Sequence, residues 1–212
     1  MIIFSTIQIN TEWHDQFTVL NAAIEKNKGK GTMAHEALAE YYTEIKDYNN
    51  AIKYSKSAIQ LLPDNFYAYK NLGRIYAELG NYSPAIYYYK KSLEIKPDLY
   101  QSYNNIGLIY SYIGNFNDSI FHLNKAIEID PEISKAHNDL GTVYAKTGNF
   151  DMAIEEIKKA IEINPYEADY YYNLAVIYEF LGDRQKTEEL LVKALELEPD
   201  SIKIRNKLDA IK

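Results

Sequence analysis

Residues 66–99 read FYAYKNLGRIYAELGNYSPAIYYYKKSLEIKPDL, and residues 100–133 read YQSYNNIGLIYSYIGNFNDSIFHLNKAIEIDPEI. Laid one under the other, Gly73 falls on Gly107, Tyr76 on Tyr110, Gly80 on Gly114 and Pro97 on Pro131. The step continues in both directions. Prolines stand at Pro63, Pro97, Pro131, Pro165 and Pro199, each 34 residues after the last. Tyrosine recurs at Tyr42, Tyr76, Tyr110, Tyr144 and Tyr178. Small residues recur at Ala39, Gly73, Gly107, Gly141 and Ala175, again at Ala51, Ala85, Ser119, Ala153 and Thr187, and again at Ala58, Ser92, Ala126, Ala160 and Ala194. That many columns in one register mark a repeat architecture.

Each unit reads as two helices and two turns. Tyr103, Ile106, Ile109 and Tyr110 recur three or four apart, the spacing of an apolar helix face. Gly114-Asn115 ends that helix, because glycine accepts the left-handed backbone of a helix terminus. Gly80-Asn81, Gly148-Asn149 and Gly182-Asp183 are equivalent stops, with the less ideal Lys46-Asp47 in the first copy. The second helix carries Ile120, Leu123, Ala126 and Ile127 on one face. It ends at Asp130-Pro131, since a residue before proline is pushed out of helical geometry. In the second copy Ser83-Pro84 reads as a helix start. Three glycines in one helical column each cost about 1 kcal/mol relative to alanine, so the column implies a close approach of helices. Gly107 and Ala126 are expected to provide that room, with Tyr110 beside them.

The pattern resembles the tetratricopeptide repeat, whose signature runs W-x2-L-G-x2-Y, then A-x3-F, then P. Here it stands as Tyr69-x2-Leu72-Gly73-x2-Tyr76, then Ala85-x3-Tyr89, then Pro97. A later copy gives His137-x2-Leu140-Gly141-x2-Tyr144, then Ala153-x3-Ile157, then Pro165. The resemblance implies an all-α fold, a right-handed α-solenoid of stacked antiparallel helix pairs. The expected repeats are 32–65, 66–99, 100–133, 134–167 and 168–201. Residues 202–212 put Ile204, Leu208 and Ile211 on one face, as a helix capping the array should. Residues 1–31 form an N-terminal segment in which Trp13, Phe17, Leu20 and Ile24 share a helical face over 12–28. Residues 2–9 read as a short strand or a helix stub. About twelve helices of roughly 14 residues, each ~20 Å long, are expected.

The composition narrows the function. The 212 residues contain no cysteine, which excludes disulfides, thiolate metal sites and cysteine nucleophiles. The net charge of −7 argues against nucleic acid and anionic membranes as partners. No leader-like segment and no apolar run long enough to span a bilayer is visible, so a cytoplasmic protein is expected. The histidines are His14, His35, His122 and His137, without HExxH spacing. His35 and His137 occupy the large-residue column and read as half-buried packing residues. Gly29-Lys30-Gly31-Thr32 lacks the spacing of a phosphate loop and reads as a linker. Glu155-Glu156 and Glu188-Glu189 fall on outward helix positions. No catalysis, cofactor or metal is expected.

What is left is binding. By resemblance, first helices line a concave face. Its columns read Met33, Tyr67, Gln101, Lys135, Asp169; Glu36, Lys70, Asn104, Asn138, Tyr172; Ala37, Asn71, Asn105, Asp139, Asn173; and Glu40, Arg74, Leu108, Thr142, Val176. The third column is similar to the asparagine ladder with which some family members hold a peptide backbone. An amide both donates and accepts, so it suits any peptide sequence; Asn is also simply common on a solvated groove. Summed over the five repeats, the formal charges are −2, +2, −3, −2 and −5. Only the second repeat is basic. Its Lys70, with Asn105 and Lys135, resembles part of the carboxylate clamp of chaperone-binding members. Arg74 replaces an Asn there, and Asp139 replaces a basic residue. The expected peptide-binding residues are Lys70, Asn71, Arg74, Asn105, Lys135 and Asn138, with Tyr67 and Tyr112 beside them, and the expected partner is a protein or peptide with an acidic segment. The alternative is a self-assembling homo-oligomer. Tyr54, Tyr87, Tyr88, Phe121 and His122 would then form an outward aromatic patch, although tyrosines are also tolerated singly on a wet surface.

Overall fold

The computed structural model describes residues 31–211 together with Thr18, Leu20 and Ala22. Eleven helices with defined bounds run among them: α1 (Thr32–Glu44), α2 (Tyr48–Leu61), α3 (Phe66–Glu78), α4 (Tyr82–Ile95), α5 (Tyr100–Tyr112), α6 (Phe116–Ile129), α7 (Ser134–Lys146), α8 (Phe150–Ile163), α9 (Ala168–Phe180), α10 (Arg184–Leu197) and α11 (Ile202–Ile211). No strand occurs among the described residues. The segment 2–9 lies outside them, as do Trp13, Phe17 and Ile24; Leu20 is helical.

The chain divides into two compact units, Met1–Ser102 and Tyr103–Lys212. Within the first, α1 pairs with α2 and α3 with α4, and α2 packs on α3. Within the second, α7 pairs with α8 and α9 with α10, α6 packs on α7, α8 on α9, and α11 on α10. The fold is thus all-α, built of stacked helix pairs.

Local chemistry sets the helix ends. Gly80, Gly114, Gly148 and Gly182 all have φ between +73° and +80°, and the next residue's N–H reaches back to the repeat tyrosine's carbonyl, as from Asn81 to Tyr76 at 2.8 Å. In the first repeat Lys46 takes that conformation at φ +61°, and Asp47 donates to the Tyr42 carbonyl at 2.8 Å. A side chain other than glycine there costs about 1 kcal/mol. Asp47, Asn65, Asn115 and Asp183 cap α2, α3, α6 and α10, each accepting from the backbone N–H three residues on. The expected start at Ser83-Pro84 is corrected. Helix α4 begins at Tyr82 with Asn81 as its cap position, so Pro84 stands within the first turn, where its missing N–H has no intrahelical role.

The small column does bring helices close. A Cβ on Gly73 would lie 2.7 Å from the Tyr89 ring, one on Gly107 2.7 Å from Leu123 Cγ, and one on Gly141 2.6 Å from Ile157 Cγ1 and 2.9 Å from the Ala153 carbonyl oxygen. The side chain that fills the space at Gly107 is therefore Leu123, where Tyr110 was expected beside it. Ser119 occupies its small column by donating its hydroxyl to the Gly107 carbonyl at 2.7 Å. In the second unit one core gathers Leu123, Leu140, Val143, Ile157, Leu174 and Ile177. Another packs Ile204 and Leu208 of α11 against Leu191 and Ala194.

Candidate functional site

Helix α3 in the first unit places Tyr67, Lys70, Asn71 and Arg74 together, because residues three and four apart share a helix face. The Tyr67 hydroxyl donates to Glu40 of α1 at 3.0 Å, and the Lys70 ammonium lies 4.6 Å from the Tyr67 ring centroid. Burial pushes the Lys70 ammonium below its ordinary pKa; Glu40 opposes that shift, and the positive Arg74 and Lys96 add to it. Glu36 accepts from the Asn65 side chain at 2.6 Å. Among the described residues neither Lys70 nor Arg74 forms an ion pair. Asn71 is only 3% exposed, yet among the described residues its amide nitrogen meets no acceptor, and neither does the buried Nη2 of Arg74. Buried donors ordinarily have partners, so this face is rich in unsatisfied donors.

The other expected groove residues lie in the second unit. Tyr112 is exposed and Asn105 half-buried. Lys135, exposed, and Asn138, buried, border a polar cavity of about 480 Å³ that also meets Asp139, Glu167, Asp169 and Asn173. The Asn138 amide oxygen is already taken by the Asn173 side chain at 2.9 Å. Asp139 accepts from Asn104 at 3.2 Å. Burial raises its carboxyl pKa, while the hydrogen bond from Asn104 and the nearby Lys135 pull the other way. Lys203 of α11, absent from the expected groove residues, borders the same cavity; it pairs with Asp169 at 3.2 Å and stands 3.9 Å from the Tyr172 centroid. Its signal was available, since 203 is one repeat step beyond 169. A second, apolar cavity of about 490 Å³ opens between α7 and α9, with Asn173 on its border too. Its wall residue Phe180 is 74% exposed and escaped the sequence reading, since it lies one turn beyond the last column assigned to the groove.

Of the aromatic candidates on the second helices, Tyr87 and Phe121 are exposed. The other three differ from the outward expectation: Tyr54, Tyr88 and His122 are half-buried. Tyr54 stacks on Tyr42 at 5.4 Å, Tyr88 on Tyr76 at 5.3 Å, and His122 tilts against Tyr110 at 5.2 Å. Each ring lies over the repeat tyrosine of its own helix pair.

The corresponding position in the next repeat is Glu156, which turns inward where an outward position was expected. His137 is buried at 6% exposure, with Nδ1 2.6 Å from Glu156 Oε2 and Nε2 3.0 Å from the Pro131 carbonyl. Both ring nitrogens face acceptors, so both donate only as imidazolium. The hydrogen bond to Glu156 raises the His137 pKa above its ordinary 6.5, burial opposes it, and the Pro131 carbonyl adds to it. Burial pushes Glu156 up, but hydrogen bonds from His137 and Lys159 outweigh it and leave the carboxyl below its usual value. A raised imidazole pKa contributes stability that is complete below 6.5 and is lost as pH rises through the folded value. His137→Gln is therefore expected to destabilise by roughly 1–2 kcal/mol at pH 6 and by clearly less at pH 9. Urea unfolding at both pH values measures it; an equal loss at each would show that His137 acts only by packing.

Among the described residues no cluster of histidine and carboxylates could hold a metal, and no helix is long and apolar enough to cross a membrane. Family models described as tetratricopeptide repeat match residues 31–98, 100–133 and 132–199. No curated protein sequence matches the chain. Among solved structures, MamA is similar at 28% identity, with 76% of this chain and 95% of that one covered and a TM-score of 0.68. YrrB, described as a TPR protein with an unusual peptide-binding site, is 23% identical over 88% of this chain and 96% of its own, with a TM-score of 0.66. TTC0263, a thermophilic TPR protein of Thermus thermophilus, is 21% identical over 85% and 98%, with a TM-score of 0.71.

Proposed function

The chain belongs to the tetratricopeptide repeat family, and from that premise we propose that it is a non-catalytic interaction scaffold that holds an extended peptide on its first helices, with an acidic side chain or terminus of the peptide seated on α3. The supporting observation is the face formed by Lys70, Asn71 and Arg74, where among the described residues donors stand without acceptors and no ion pair neutralises the cations. A carboxylate arriving there would favour the charged ammonium and so oppose the downward shift that burial gives the Lys70 pKa. The peptide-binding site attributed to YrrB lends the reading a precedent in a similar fold.

Exposed ion pairs contribute ~0–1 kcal/mol each, so backbone contacts must supply much of the affinity, and a micromolar complex weakened by salt is expected. Fluorescence anisotropy with a library of acidic C-terminal peptides tests this on the wild type and on Lys70→Ala/Arg74→Ala. The double variant should lose up to about tenfold in affinity. Equal binding by both proteins would remove α3 from the site. Self-assembly is the second reading, favoured by the exposed rings of Tyr87 and Phe121. Sedimentation of the same samples reads it directly, and a wild type that stays monomeric at high concentration dismisses it.

A further inference from the structure

We infer that the groove between α7 and α9 selects an extended peptide segment carrying a large apolar side chain and, two or four residues away, a lysine or arginine. The inference rests on the peptide reading above but concerns other residues, with the opposite charge preference.

The apolar cavity of about 490 Å³ is bordered by Ala145, Phe150, Ile157, Val176, Ile177 and Phe180. Phe180 and Phe150 meet at 4.8 Å between centroids, which fixes one wall. Phe180 is 74% exposed and Val176 37%, so apolar surface stands in water beside a space large enough for an aromatic or leucine side chain. Covering it removes that surface from water, the usual source of affinity in such pockets.

The polar cavity of about 480 Å³ supplies the complementary charge. Three carboxylates border it, Asp139, Glu167 and Asp169, against two lysines, Lys135 and Lys203. Lys203 is committed to Asp169 and to the face of Tyr172. Glu167 is exposed and forms no ion pair among the described residues. Asp139 is a carboxylate that burial disfavours, and the hydrogen bond from Asn104 together with Lys135 and Lys146, the latter bordering the apolar cavity, offsets that only in part. An incoming cation finds one carboxylate free and a second under-compensated, whereas an incoming carboxylate meets net repulsion. Asn173 borders both cavities and keeps its amide oxygen available for a peptide N–H passing between them.

The spacing follows from helix geometry. Asp169 and Val176 are seven residues apart on α9, ~10.5 Å at 1.5 Å per residue. An extended chain advances about 3.4 Å per residue and places every second side chain on one face. Positions two or four apart therefore bracket the distance, and the reach of a lysine or arginine arm takes up the remainder.

Fluorescence anisotropy on the full chain tests this with labelled Gly/Ser-flanked peptides having a Phe-Ser-Arg core, against cores in which Phe is replaced by Ala or Arg by Glu. The Phe-Ser-Arg peptide should bind about tenfold more tightly than either control. Phe180→Ser should abolish the advantage of Phe while leaving that of Arg, and Glu167→Gln/Asp169→Asn should do the reverse. These side chains are exposed, so the variants should keep the wild-type far-UV circular dichroism. Equal affinity of the wild type for the Arg and Glu cores overturns the charge preference. Binding that Phe180→Ser leaves unchanged overturns the pocket. If acidic peptides bind through Lys70 and Arg74 but these cores do not, only this inference fails; if neither set binds, the peptide reading fails with it. A self-associated wild type that Phe180→Ser converts to monomer would make the occupant a second copy and overturn the proposal as well.

Discussion

Gly141→Leu is expected to destabilise the protein by about 3 kcal/mol or more, the largest loss of any glycine replacement in the small column. The reason lies in what a Cβ would meet. Ile157 Cγ1 at 2.6 Å belongs to a side chain that can rotate, but the Ala153 carbonyl at 2.9 Å is backbone locked within α8. Ile157 is itself fully buried, so its rotation would displace other core atoms. The two helices must separate, and separation opens the core that they share with α9. Gly107→Leu should cost less, about 2 kcal/mol, because the atoms closest to its Cβ belong to Leu123 and the nearest backbone atom is at 3.3 Å. Gly141→Ala should fall between wild type and Gly141→Leu, since alanine recovers about 1 kcal/mol of helix propensity against the clash. Urea denaturation followed by circular dichroism gives the ranking. A Gly141→Leu midpoint equal to the wild type would refute close approach as the reason for the column.

Leu123→Ala should lose about 3–4 kcal/mol, since Leu123 is fully buried and its removal leaves a cavity between α5, α6 and α7. Combined with Gly107→Ala the loss should shrink. Alone, the new methyl at position 107 stands 2.7 Å from Leu123 Cγ and forces a shift. With Leu123 shortened, the same methyl enters the space that it vacated. A double-mutant cycle should therefore show a favourable coupling of about 1–2 kcal/mol. Strict additivity would mean that the two side chains do not compete for one volume.

Period, helix type and helix termini were legible because their causes are local. A proline two residues past a helix, a Gly-Asn stop and a capping Asp or Asn act on backbone groups within four residues. The 34-residue step then multiplied each signal across the chain, and even Lys46 fell where the glycine column placed it. The one misplaced start, Ser83-Pro84, was a contest between two residues of cap-forming type two positions apart, Asn81 and Ser83, that local rules alone do not decide. The small column also announced a close contact, because glycine within a helix has a cost that packing must offset.

What the column could not announce was the partner. Which side chain meets Gly107 depends on how far one helix slides along the other, and that offset is set by all the side chains between them. The same holds for the candidate site. Tyr67 meets Glu40, Asn65 meets Glu36 and Asn173 meets Asn138 across 27 to 35 residues of sequence. Those encounters decided that Asn138 has an occupied amide oxygen while Asn71, among the described residues, keeps a buried donor without an acceptor, although both were read as groove asparagines. They also turned Tyr54, Tyr88, His122 and Glu156 over the neighbouring helix. A repeat sequence determines which residues share a column, since period is a property of the chain. Which members of a column are free to bind is decided only when through-space neighbours have taken their share of each donor, acceptor and apolar face.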